Sequence, residues 1–106
     1  MSEVYDENGR LIRKVKNLGW LLKHWKDVES FTIDYAKQSQ RNGSDCILIA
    51  YLKNGGWYET EFSCYSVCIQ FLTRPVFYGL KVQLVCSFGS QRVLTIRKGV
   101  GTLWAR

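Results

Sequence analysis

Two stretches of this chain alternate apolar and polar residues with a period of two, and nothing else in the sequence constrains the fold as strongly. Phe31, Ile33 and Tyr35 alternate with Thr32, Asp34 and Ala36. Val82, Leu84, Cys86 and Phe88 alternate with Lys81, Gln83, Val85 and Ser87. Successive side chains of a strand point to opposite faces, so this pattern is that of a strand with one face buried. Cys46 to Lys53 is almost continuously apolar, as a central strand is. Asn54-Gly55-Gly56 then turns the chain into Trp57 to Phe62, with Glu59 and Glu61 on one face and Tyr58 and Phe62 on the other. Asn8-Gly9, between Val4-Tyr5 and Leu11-Ile12, marks a hairpin, because both residues tolerate positive φ. Gly89-Ser90 marks another turn, from which Val93 to Arg97 returns, and Gln38 to Asp45 reads as a loop. From Gly99 onward no period is visible.

Two stretches have helical spacing instead. From Asn17 to Val28, the residues Leu18, Leu21, Leu22, Trp25 and Val28 recur at intervals of three and four, the stripe of an amphipathic helix. Asn17 is placed to cap it. On this phase Trp25 faces the core, and Trp20 lies nearly opposite Leu18, among Lys16, Lys23 and His24. A second, shorter helix is expected over Cys64 to Leu72, capped by Ser63, with Cys64, Val67, Cys68, Phe71 and Leu72 on its inner side. Pro75 ends it, because proline disfavours helical geometry at Arg74.

The expected order is therefore ββ-α-β-ββ-α-ββ: one α+β domain over residues 1–106, with an antiparallel sheet and two short helices packed on one of its faces. A hydrophobic content of 46% over 106 residues is enough for one real core. No apolar run approaches the ~18 residues that would read as a membrane span. The acidic Met1 to Gly9 does not read as a secretory signal, so a cytoplasmic location is expected.

The formal net charge of +6 is unevenly distributed. Arg10 to Lys26 carries Arg10, Arg13, Lys14, Lys16, Lys23 and Lys26 and no acid; Phe62 to Arg106 carries Arg74, Lys81, Arg92, Arg97, Lys98 and Arg106 and no acid. Were both blocks on one side, Arg10, Arg13, Lys14, Arg92, Arg97 and Lys98 would form a basic patch for an anionic partner. Left apart, they are an ordinary solvated surface.

Candidate chemistry is sparse. Cys46, Cys64, Cys68 and Cys86 could in principle bind zinc or form disulfides, but the short Cys-x2-Cys spacing of zinc ribbons is missing and the surroundings are apolar, which points to core thiols. His24, the only histidine, has no helper group beyond Asp27 three residues on, which favours a solvated or structural imidazole over a catalytic one. Glu59 and Glu61 share a strand face, more a solvated face than an acid–base pair across a cleft. No nucleophile, acid and base can be assembled, so no enzyme, metal or cofactor is expected. Trp20 is the remaining feature. A ring among cations could anchor a protein interface or stack on a base. It could equally pack under the N-terminal hairpin, against Tyr5 or Ile12.

Residues 17–78 resemble small phage and prophage accessory proteins of uncharacterised function. The resemblance rests on Asn17-Leu18 opening a basic helix, the hairpin ending Tyr58-Glu59-Thr60-Glu61-Phe62, and Ser63-Cys64-Tyr65-Ser66-Val67 opening a second helix. It implies an accessory protein acting in the host cytoplasm, and it carries over no active site. The expected function is thus a small interaction protein that binds and modulates a host protein through Lys16, Trp20, Lys23 and His24. The alternative is a basic module binding nucleic acid through the Lys/Arg face around Trp20, with weak affinity.

Overall fold

The computed structural model describes residues 2–16, 18–34, 46–85 and 91–98, and the backbone of 103–105. The expected cap at Asn17, the end of the first alternating strand at Tyr35 and Ala36, the loop Gln38 to Asp45, and the stretch from Cys86 through the Gly89-Ser90 turn lie outside the described residues.

The strands are β1 (Ser2–Tyr5), β2 (Leu11–Val15), β3 (Val28–Asp34), β4 (Cys46–Leu52), β5 (Trp57–Phe62), β6 (Lys81–Val85), β7 (Gln91–Ile96) and the short β8 (Leu103–Ala105). The helices are α1 (Gly19–Lys23) and α2 (Tyr65–Leu72), with 3-10 turns at Trp25–Asp27 and Pro75–Phe77. Among the described residues, these eight strands join one sheet in the order β2-β1-β5-β4-β3-β6-β7-β8. The fold is α+β, with elements in the expected order and β8 added from the tail without a visible period. Every pairing is antiparallel except β3 with β6, which is parallel and makes the sheet mixed. Parallel neighbours need a crossover, and here it comprises β4, β5 and α2. Among the described residues, no helix is long and apolar enough to cross a membrane.

Alternation places the core on one face. Phe31 and Ile33 of β3, Cys46, Leu48, Ala50 and Leu52 of β4, Tyr58 and Phe62 of β5, Val82 and Leu84 of β6, and Leu94 and Ile96 of β7 form one buried cluster with Leu21 of α1 and Cys68, Ile69, Phe71 and Leu72 of α2. Both helices therefore cover the same face. Phe77, delivered by the proline-led 3-10 turn, meets Phe31 edge-on at 5.1 Å and Phe71 at 5.8 Å.

The first helix is much shorter than its stripe predicts. The helix ends at Lys23, Trp25–Asp27 is a 3-10 turn, and Val28 already belongs to β3. Val28 closes the stripe for a reason of its own. Val28 pairs with Leu52 and Ser30 with Tyr51, so the register slips by one residue at Glu29. That bulge turns Val28 to the same face as Phe31, three residues on, so Val28 is buried as a strand residue and not as the last step of a helix. With the helix giving way to a 3-10 turn after Lys23, Trp25 is exposed, while Trp20 packs against the core cluster, the reverse of the expected phase. In α2 the buried stripe is Cys68, Ile69, Phe71 and Leu72, with Val67 outside and Cys64, not Ser63, preceding the first helical residue.

Candidate functional site

A cleft of about 520 Å³ opens where the N-terminal hairpin, α1 and the β4–β5 turn meet. Val4, Tyr5, Ile12, Trp20 and Leu52 give it apolar walls, and His24, Asp27, Lys53 and Asn54 supply polar groups. Each wall has a local cause. Asp6 closes the β1–β2 turn, its carboxylate accepting the N–H groups of Asn8 at 2.9 Å and Arg10 at 3.0 Å, with Gly9 at a φ of 79°. The register between β1 and β2 slips between Val4 and Tyr5, which pair with Arg13 and Leu11, so Ile12 is the extra residue. This second bulge brings Ile12 into the cleft lining beside Val4.

The α1 wall is built by its own termination. The His24 N–H donates to the Trp20 carbonyl at 3.0 Å, and His24 Nδ1 lies 2.8 Å from the same oxygen. A carbonyl only accepts, so Nδ1 carries the proton in that contact; in the neutral ring Nε2 is left as an acceptor. The imidazole stacks on the Trp20 indole at 4.1 Å, and the indole stacks on Tyr58 at 5.6 Å with the planes 2° apart. Tyr58 is fully buried; its hydroxyl donates to Ser2 Oγ at 2.9 Å, and Ser2 donates to Thr60 Oγ1 at 2.8 Å. Burial raises the Tyr58 pKa despite these bonds, so the phenol stays neutral and the hydroxyl chain ties β1 to β5 beneath Trp20.

The third wall is the turn after β4. The Lys53 N–H donates to the Asp27 carbonyl at 2.8 Å, and Asn54 Oδ1 accepts the Gly56 N–H at 2.8 Å. A Cβ on Gly56 would overlap the Tyr5 carbonyl, so glycine lets the turn close against β1.

Of the residues expected to bind a partner, the structure brings Trp20 and His24 together, both half-buried in the cleft, and leaves Lys16 and Lys23 exposed outside its lining. The two basic groups do not form one patch. Arg10, Arg13 and Lys14 belong to the β2 edge, while Arg92, Arg97 and Lys98 lie on or just beyond β7. Six strand spacings, about 29 Å, separate those strands in the sheet. Val4, Leu52, Lys53 and Asn54 are not marked as cleft residues by the sequence; the Asn8-Gly9 and Asn54-Gly55-Gly56 turns signal two hairpins but not that both would meet Trp20.

Among the thiols, Cys46 and Cys68 are buried and Cys64 is half-buried. Burial and the neighbouring Cys46 push the Cys68 thiol up, the contact with Cys46 being the larger cause. Cys64 goes the other way: the Ser66 hydroxyl, 3.2 Å from its sulfur, and then the Val67 N–H hold it below the ordinary thiol value. Among the described residues, no group of three or more His, Cys, Asp and Glu side chains is arranged to hold a metal. No protein-family model matches the chain. Searches of the curated proteins and of the solved structures found no similar protein either.

Proposed function

We propose that this chain is a non-enzymatic interaction protein that receives an apolar side chain of another protein in the cleft beside Trp20. On the phage-type reading, that partner is a host protein. The cleft carries the argument. Its volume falls in the range of small binding sites, and its lining combines an apolar floor with a few convergent polar groups. The apolar surface also continues past its mouth. Ile12, at the rim, is 61% exposed, so a contact larger than a small molecule is favoured. Trp20 serves as a wall of the site, held by Tyr58 and His24, and not as a free anchor.

The test is capture from host lysate by the purified protein, with nuclease present, comparing wild type with Ile12→Asp. Ile12 is mostly exposed, so the variant keeps its fold while placing a carboxylate at the mouth of the cleft. A nuclease-resistant partner held by wild type and lost by Ile12→Asp is the expected result. Partners that vanish with nuclease, or that bind both proteins equally, overturn the reading.

A further inference from the structure

We infer that the outer edge of β2 is a strand-addition site for an extended, acidic segment of the partner, an inference that rests on the interaction reading above. β2 ends the sheet, and among the described residues it pairs with β1 alone. Its far side presents unpaired N–H and C=O groups, a template for another strand. Leu11, Ile12, Arg13 and Lys14 are all exposed, so both faces of this strand stand in solvent. Its side chains are therefore available to a partner on either side.

The charge on this edge selects the occupant. Arg13 and Lys14 lie on β2, Arg10 and Lys16 flank it, and no acid lies between Arg10 and Lys26. A second copy pairing antiparallel with β2 would bring its cations against these, and like charges directly opposite destabilise a pair. An acidic strand turns the same repulsion into attraction. Nucleic acid shares the charge but cannot match alternating backbone donors and acceptors, and it would leave Leu11 and Ile12 uncovered.

The two faces of the edge also differ in what they offer. On one, Leu11 pairs with Tyr5, whose ring stacks on Trp57 at 5.2 Å. On the other, the bulge brings Ile12 to the cleft, which could take an apolar side chain of the added strand. Main-chain bonds would supply affinity and these two apolar rows the choice of sequence, as in other strand-addition sites.

The experiment selects binders from a yeast-displayed library of short random peptides, using the purified protein as target. Backbone-amide hydrogen exchange of the protein then locates one selected peptide. The expected result is enrichment of Asp and Glu in alternation with apolar residues, with slowed exchange over Leu11–Val15. N-methylating that peptide on its paired edge should weaken it about tenfold for each hydrogen bond blocked. The variant Arg13→Glu/Lys14→Glu, altered only at exposed positions, should select Lys and Arg instead. Enrichment without acidic residues, or protection confined to Trp20 and His24, overturns the edge inference and leaves the cleft reading standing. So does failure to enrich any peptide while Ile12→Asp still loses a captured host protein. No enrichment and no capture overturn both.

Discussion

At the scale of single residues, the three described thiols differ in ways that composition conceals. Cys64 sits partly open beside the Ser66 hydroxyl, which lowers its pKa, whereas Cys68 is buried against Cys46 and its pKa is raised. The thiolate is the nucleophile, so a lowered pKa means more reactive sulfur at neutral pH. Iodoacetamide should therefore label Cys64 well before Cys46 or Cys68 in the folded protein. Its rate should rise through a midpoint lower than that of an ordinary exposed thiol. Peptide mass spectrometry over a pH series checks both; equal labelling of Cys64 and Cys68 would show that the second helix is packed differently. By sequence all four cysteines look like core thiols, because helical spacing groups Cys64 with Cys68 and says nothing about where the helix begins.

At the scale of elements, the informative failure is α1. Its apolar spacing is real, but it spans a five-residue helix, a 3-10 turn and a bulged strand. Trp25, exposed on the 3-10 turn, and Val28, buried as the first residue of a strand, continue the intervals of three, and spacing alone does not distinguish them from helical steps. Trp57 to Phe62, with no bulge, was legible to the residue. The error exchanges the roles of two tryptophans. Trp20→Ala should cost about 3 kcal/mol, because the indole stacks on buried Tyr58 and packs on the core. Trp25→Ala should cost under about 1 kcal/mol, because the ring is exposed and its visible contact is with the Lys26 ammonium at 5.6 Å. Urea denaturation of the two variants decides it, and a larger loss at Trp25 would restore the long helix. The cleft was less legible than the strands, because it arises where a hairpin, a short helix and a turn from separate parts of the chain converge, and spacing within one segment carries no information about that.

At the scale of the whole molecule, strand order governs how charge is presented. The two basic blocks are similar in sequence, but β2 and β7 lie near opposite edges of the sheet, so the net charge of +6 is divided. A duplex meeting the β2 edge finds Arg10, Arg13, Lys14 and Lys16. With about 0.9 of log–log salt slope for each phosphate neutralised, four cations give a slope no steeper than about −4. Fluorescence anisotropy with a labelled duplex should show weak binding at low salt that disappears at physiological salt. A steeper slope, or micromolar binding that survives, would mean that both blocks reach the nucleic acid and would favour a nucleic-acid partner over a protein.

The parallel pairing of β3 with β6 also bears on the order in which the molecule can be completed during synthesis. β3 receives β4 soon after both are made, but its other neighbour lies beyond β5 and α2, near the end of the chain. Until Lys81–Val85 leaves the ribosome, β3 remains a bare edge bearing Phe31 and Ile33. During that interval the nascent chain is at its most vulnerable to pairing with a neighbour, and the closing strand doubles as the protection of an earlier one.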